Sequence, residues 1–225
     1  MRGKIIVIEG GDGAGKATQT KLLTERLMAD GQQVETMSFP RYEDNTFGAL
    51  IRECLDGKRG NFIEADPYFV STLFAADRFE SKAQIEAWLA AGSVVVLDRY
   101  TTANMLHQGA KTHDDGEREK LLSWIHKIEH EIFMLPEPDI VFYLQVPAEE
   151  RQELLKQQHQ DRGTGPDQAD SNLEHQSLVE ASAATIMNLY PHWHLVDCML
   201  EGEGQLRTPE HINEELYSAV CDILE

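Results

Sequence analysis

Residues 10–16 read Gly-Gly-Asp-Gly-Ala-Gly-Lys, a fit to the spacing Gly-x-x-x-x-Gly-Lys. Glycines so spaced let backbone N–H groups converge on phosphate oxygens. The start of a following helix adds positive potential, and Lys16 supplies a full charge. The loop of Gly10, Gly11, Asp12, Gly13, Ala14, Gly15, Lys16, Ala17 and Thr18 is therefore expected to cradle the phosphates of a nucleoside triphosphate. Residue 17 departs from the pattern: it is Ala where Ser or Thr would offer Mg²⁺ a hydroxyl, and Thr18 comes one place late. A metal that bridges two phosphates is also held through waters and a distant carboxylate.

Asp98 is the candidate for that carboxylate, because it follows the apolar run Val94–Leu97. In an open parallel sheet, ligands bind beyond the carboxyl ends of the strands, where the phosphate loop also sits. Asp98 is thus placed to hold Mg²⁺ or orient an attacking oxygen, and Arg99 to reach an anion. The competing reading of the two is a surface ion pair. Two further arginines stand beside aromatics, Arg41 after Phe39-Pro40 and Arg78 four residues after Phe74. Residues four apart share a helix face, and a ring with a planar guanidinium suits stacking on a base and bonding to its edge. The competing reading there is a core Phe with a surface Arg.

The elements that must position these groups alternate. Residues 4–8 are an apolar, β-branched run ending in a tight turn, which predicts a buried strand. A helix is expected from 15 to 30, where Leu22, Leu23, Leu27 and Met28 form one stripe and Gly31 stops it. Further strands are expected at 34–39, 93–97, 139–146 and 194–198, with helices at 67–89, 173–190 and 209–225. Strands alternating with helices imply a mostly parallel sheet covered on both faces. No linker divides the chain, so one domain over 1–225 is expected. Residues 157–172 are polar and carry Gly163, Gly165 and Pro166, the composition of a functional lid, here taken as about 148–175.

Composition bounds the rest. The chain has 225 residues, 41% of them hydrophobic, enough for a real core. It lacks an apolar run near the ~18 residues of a membrane span and an N-terminal run of signal-peptide length, so a cytoplasmic location is expected. With 20 Lys+Arg against 39 Asp+Glu the net charge is −19, which argues against nucleic-acid or anionic-membrane partners. Three scattered cysteines imply neither a disulfide framework nor a cysteine metal site. His126 and His130 are i, i+4 but lack a visible third ligand, so they do not predict zinc.

Taken in order, Gly10–Gln19, Phe39-Pro40-Arg41, Leu73–Glu80, Asp98-Arg99-Tyr100 and Pro138–Leu144 resemble the motifs of the thymidylate kinases, over roughly residues 4–200. The resemblance implies a P-loop-type, doubly wound parallel sheet of five strands, ATP-dependent phosphorylation of dTMP to dTDP with Mg²⁺, and a homodimer. By it, Asp12 would bind the deoxyribose 3′-OH, and Arg41 and Arg99 the dTMP phosphate. Phe39 belongs to the same dTMP-binding set. Phe74 would stack on thymine, Arg78 would bond its edge, and Asp98 would serve metal and phosphoryl transfer. Asn104 and Gln108 are candidates for further base contacts. The related adenylate kinases also lack a hydroxyl at the position of Ala17. Catalysis would rest on Lys16, Asp98, Arg99 and a lid cation. Arg162, followed by Gly163, Gly165 and Pro166, is expected to be that cation rather than Arg151 or Lys156. The alternatives are a kinase for another nucleotide or a deoxynucleoside, and a weakly active nucleotide-binding regulatory protein.

Overall fold

The computed structural model describes residues 2–162, 173–200, 202 and 204–224; the side chains of 157–162 and 173–177 lie outside that description. Strand β1 (Ile5–Gly10) leads into helix α1 (Lys16–Ala29), β2 (Val34–Ser38), α2 (Thr46–Leu55), α3 (Pro67–Glu80), α4 (Lys82–Ala90), β3 (Val94–Asp98) and α5 (Thr101–Gly109). Then come α6 (Asp115–His126), a π-helical turn (Lys127–Ile132), β4 (Ile140–Gln145), α7 (Ala148–Arg162), α8 (Leu173–Leu189), β5 (Trp193–Asp197) and α9 (Pro209–Leu224). The five strands form one sheet in the order β2-β3-β1-β4-β5, and every ladder is parallel. This is the doubly wound sheet that the sequence pattern implied.

Unbroken apolar strands belong in a sheet buried on both faces, and β1 shows why. Ile5 and Val7 join the core shared with α4, α5, α6 and α8, whereas Ile6 and Ile8 join the core under α1 and α9. A smaller cluster, Ile51, Cys54, Leu55, Phe62 and Val70, ties α2 to α3. The register sets Ile8 beside Asp98, so the phosphate loop and the acid leave the same edge of the sheet.

Two local readings change. The single helix expected at 67–89 is two helices that meet at Ser81. The Asn45 amide donates to the Asp77 carbonyl at 2.7 Å, and the Ser81 N–H turns to Arg78 O at 3.0 Å instead. A side chain inserted into the i→i−4 ladder is a recognised cause of such a break. Helix α2 was not read at all. Its start is capped from another element, because Glu80 accepts from the Thr46 and Phe47 N–H groups at 3.2 and 2.9 Å. The centre of the expected lid, residues 163–172, lies outside the described residues, between α7 and α8.

Candidate active site

The turn after β1 needs left-handed or extended-positive backbone at Gly10, Gly13 and Gly15, with φ of 148°, 83° and 88°. It also runs hard against α7. A Cβ on Gly13 would lie 2.5 Å from the Arg151 carbonyl oxygen, and one on Gly11 1.8 Å from Arg151 Nη1. Arg151 itself is 3% exposed, donates to Val146 O at 3.0 Å and pairs with Glu180 of α8 at 2.5 Å. It therefore braces the loop and is not free to swing. Lys16 Nζ donates to the Gly10 and Gly11 carbonyls at 3.1 and 2.9 Å and stands 3.7 Å from Asp12. Burial and the nearby Arg99 push its pKa below the ordinary lysine value, although Asp12, Asp98 and Glu9 oppose that.

Around Lys16 lies an alternation of charge. Arg99 sits in the left-handed region with φ of 64°, a conformation that costs a non-glycine residue about 1–3 kcal/mol. Its N–H donates to Ile8 O at 3.1 Å, Nη2 to Asp12 Oδ1 at 2.5 Å, and Nη1 lies 2.9 Å from His107 Nε2. Burial alone would raise the Asp12 pKa, but Arg99 and Lys16 hold it well below the carboxylate range. Glu9 is fully buried. One of its oxygens accepts from Thr102 Oγ1 at 2.6 Å and the Tyr100 N–H at 3.2 Å, while Oε2 has no partner among the described residues. Burial raises its pKa against the pull of Arg99.

A cavity of about 830 Å³ runs from the phosphate loop towards α3 and α5. At its far end stand Phe74, Arg78, Asn104 and Gln108. Arg78 is 1% exposed and gives Nε to Glu129 Oε2 at 3.0 Å and Nη2 to Glu129 Oε1. Asn104 Nδ2 donates to Glu129 Oε1 at 2.8 Å and to Ser71 O at 3.0 Å. Asn104 Oδ1 and Gln108 Oε1 are buried acceptors without a partner among the described residues. Both Asn104 donors face protein oxygens, so a flipped amide would set oxygen against oxygen and the assignment is firm.

Of the residues singled out in the sequence, Asp12–Thr18, Phe39, Phe74, Arg78, Asp98, Arg99, Asn104 and Gln108 line this one cavity. Gly10 and Gly11 sit behind it as its backbone. Arg41 is not among the lining residues: its guanidinium turns to Asp44 at 2.9 Å and to Met37 Sδ at 3.4 Å. The side chain of Arg162 lies outside the described residues. Sequence reasoning missed Arg52, His107 and Lys111, which line the cavity, and Glu129, which stands behind it. Glu129 had a signal. It falls four residues after Ile125 and eight after Leu121, both buried, so it is an acid on an apolar stripe and needs a partner.

A lysine-bearing phosphate loop at the edge of a doubly wound parallel sheet, opening into a cavity with a ring and fixed hydrogen-bonding groups at its far end, defines a P-loop phosphotransferase of the nucleotide-kinase class. The model of the family "Thymidylate kinase" matches residues 8–200. The chain is 36% identical over 145 residues to the thymidylate kinase of Mycobacterium tuberculosis, covering 64% of this chain and 67% of that one. It is 33% identical to a probable thymidylate kinase of Pyrococcus abyssi, over 98% and 97% of the two chains. The solved structure of thymidylate kinase from Candida albicans superposes with a TM-score of 0.73 at 26% identity, over 97% of this chain and 91% of that one. The chain belongs to the thymidylate kinase family.

Proposed function

We propose that this protein transfers the γ-phosphoryl group of ATP to dTMP, giving ADP and dTDP, in the supply of dTTP. The observation that carries the base is the pair of open acceptors, Asn104 Oδ1 and Gln108 Oε1, beside Arg78 and Phe74. Thymine offers what that edge lacks: a ring N–H between two carbonyls. Phe74 supplies the stacking face, Arg78 the donor for a carbonyl, and Asn104 the acceptor for the N–H. Arg99, Arg52 and Lys111 also line the cavity, cations that suit an acceptor that is already a phosphate. A monophosphate oxygen needs no strong base to attack, so catalysis is alignment and neutralisation of the transferring group.

In this reading Lys16 and the loop N–H groups hold the ATP phosphates, and Arg99 exchanges its partners Asp12 and His107 for the acceptor phosphate. The residues fit Mg²⁺: Asp98 ends β3 beside the loop, and Glu9 Oε2 is an unpartnered buried carboxylate oxygen, both hard donors. When bound, the ion would supply positive charge that offsets the charge of the phosphates. A homodimer in the cytoplasm completes the proposal. Phe69, Phe79, Ile132 and Met134 are 49–65% exposed on α3 and around the π-helical turn, and a second copy would cover them. Among the described residues, no helix is long and apolar enough to cross a membrane.

A coupled ADP-release assay over dTMP, dUMP, dCMP, dGMP and thymidine tests the reading. Turnover led by dTMP is expected. ATP binding with no acceptor-dependent turnover would return the chain to a regulatory role, and turnover led by thymidine would make it a nucleoside kinase.

A further inference from the structure

Glu129 does not itself line the cavity, yet it fixes two groups that do. It is 0% exposed and sits on the π-helical turn that continues α6, whereas its partners Arg78 and Asn104 come from α3 and α5. A carboxylate only accepts. It therefore draws the Arg78 fork through Nε and Nη2, and it draws one N–H of the Asn104 amide, with Ser71 O taking the other. Every donor of that amide is spent on the protein, and Oδ1 is left buried and without a partner among the described residues.

We propose that Glu129 is the positioning residue that sets which pyrimidine this site accepts, by locking Asn104 with its acceptor outward and Arg78 with its remaining Nη1 donor beside it. The proposal rests on the base lying between Arg78 and Asn104, as in the function proposed above. A locked acceptor demands a ring N–H and so selects thymine or uracil. Cytosine presents a bare ring nitrogen there and an amino group where thymine has a carbonyl, so it meets acceptor against acceptor and donor against donor. A site built to hydrogen-bond one edge rejects the wrong one strongly, because its own polar groups are left unpaired.

Replacing the carboxylate by an amide removes the lock. In Glu129→Gln, residue 129 offers a donor as well as an acceptor, so Asn104 has two amide orientations, one of which turns Nδ2 to the cavity. The expected result in steady-state assays is a dTMP:dCMP ratio of kcat/KM that falls tenfold or more. The loss enters through the KM for dTMP, and the KM for ATP stays within twofold. Glu129→Asp, which keeps the acceptor-only chemistry, is expected to retain much of the ratio.

The proposal is overturned if Glu129→Gln lowers dTMP and dCMP kcat/KM by the same factor, the mark of a packing role. Should the unpaired Arg78 charge prevent Glu129→Gln from folding, Glu129→Gln with Arg78→Gln is compared with Arg78→Gln alone. The ratio must then fall further in the double variant, and an equal ratio overturns the proposal. Failure of the underlying reading looks different: the unaltered enzyme would itself show no preference for dTMP over dCMP.

Discussion

The two ends of the cavity prepare for a ligand in opposite ways. At the phosphate end the charges are already spent on one another: Lys16 on the Gly10 and Gly11 carbonyls, Arg99 on Asp12 and His107. At the base end the Asn104 amide donors are spent and two acceptors are left without a partner among the described residues. A phosphate group needs positive potential from many directions, and groups that let go of one oxygen can take another. A base edge needs a fixed sequence of donors and acceptors, so its hydrogen-bond directions must be set before the base arrives. Charge is thus handled by exchange, and identity by a rigid buried network.

The harshest way to break that contrast is to remove charge at the phosphate end. Arg162 is proposed as the cation brought over the transferring group. The first of the lid cations, Arg151, is tied to Val146 and Glu180 and serves as a brace. Arg162→Ala is expected to lower kcat by about 10³, the scale of arginine fingers, with a much smaller change in ATP Kd. Single-turnover assays of Arg151→Ala, Lys156→Ala and Arg162→Ala in parallel decide it. A collapse confined to one of the other two would move the role there.

Lys16→Ala comes next. It removes the loop's only fixed full positive charge, and turnover should drop about 10²- to 10³-fold, as for other single donors at developing charge. Near-normal turnover would mean that the loop is a connector and that phosphate binds elsewhere.

The base end predicts a smaller and more selective loss. Phe74→Ala should weaken dTMP by about 1–3 kcal/mol, the range for bases on aromatic platforms, and leave the ATP KM nearly unchanged. Phe74 also packs on Phe62 with ring centroids 6.0 Å apart. Equal weakening of both substrates would therefore make it a core residue and erase the distinction between the two ends.

The same contrast explains what could be read from the chain alone. The phosphate end is made of contiguous residues: a strand, a glycine turn and a lysine in one stretch, with Asp98 and Arg99 in another. Its chemistry is local and so is its spelling. The sheet was legible for a similar reason, since runs such as 5–8 and 94–97 are apolar on both faces and could only be buried strands. The base end is assembled from α3, α5 and the π-helical turn, three elements far apart in sequence. Phe74, Arg78, Asn104 and Gln108 were found through spacing and family resemblance. Glu129 was not, because its importance lies in partners 51 and 25 residues away. The break at Ser81 and the cap on α2 were hidden likewise, since Asn45 and Glu80 act on backbone 30 or more residues distant.

Lys111 lines the same cavity, and it offers the smallest effect and the finest test. It follows α5, lines the cavity, and donates to the Ala65 and Phe62 carbonyls at 3.0 and 3.5 Å. Burial pushes its pKa down to about 8, with Asp66 pulling weakly the other way. The folded chain therefore holds this proton less tightly than the unfolded chain, whose lysine titrates near the ordinary 10.5. Between those values the unfolded state binds more protons, so stability attributable to Lys111 rises with pH across that window. Below about 8 the buried charge is a full penalty. Discounted for the solvent that still reaches the side chain, that penalty is on the order of 1 kcal/mol. Lys111→Met should be more stable than the unaltered protein at pH 7, and the gap should close by pH 10 as Lys111 sheds its proton. Denaturant midpoints at the two pH values measure it. Bound dTMP should reverse the order if Lys111 behaves as part of the phosphate end, because an anion nearby favours the charged form. An advantage for Lys111→Met that persists with dTMP bound would place Lys111 with the fixed framework of the base end.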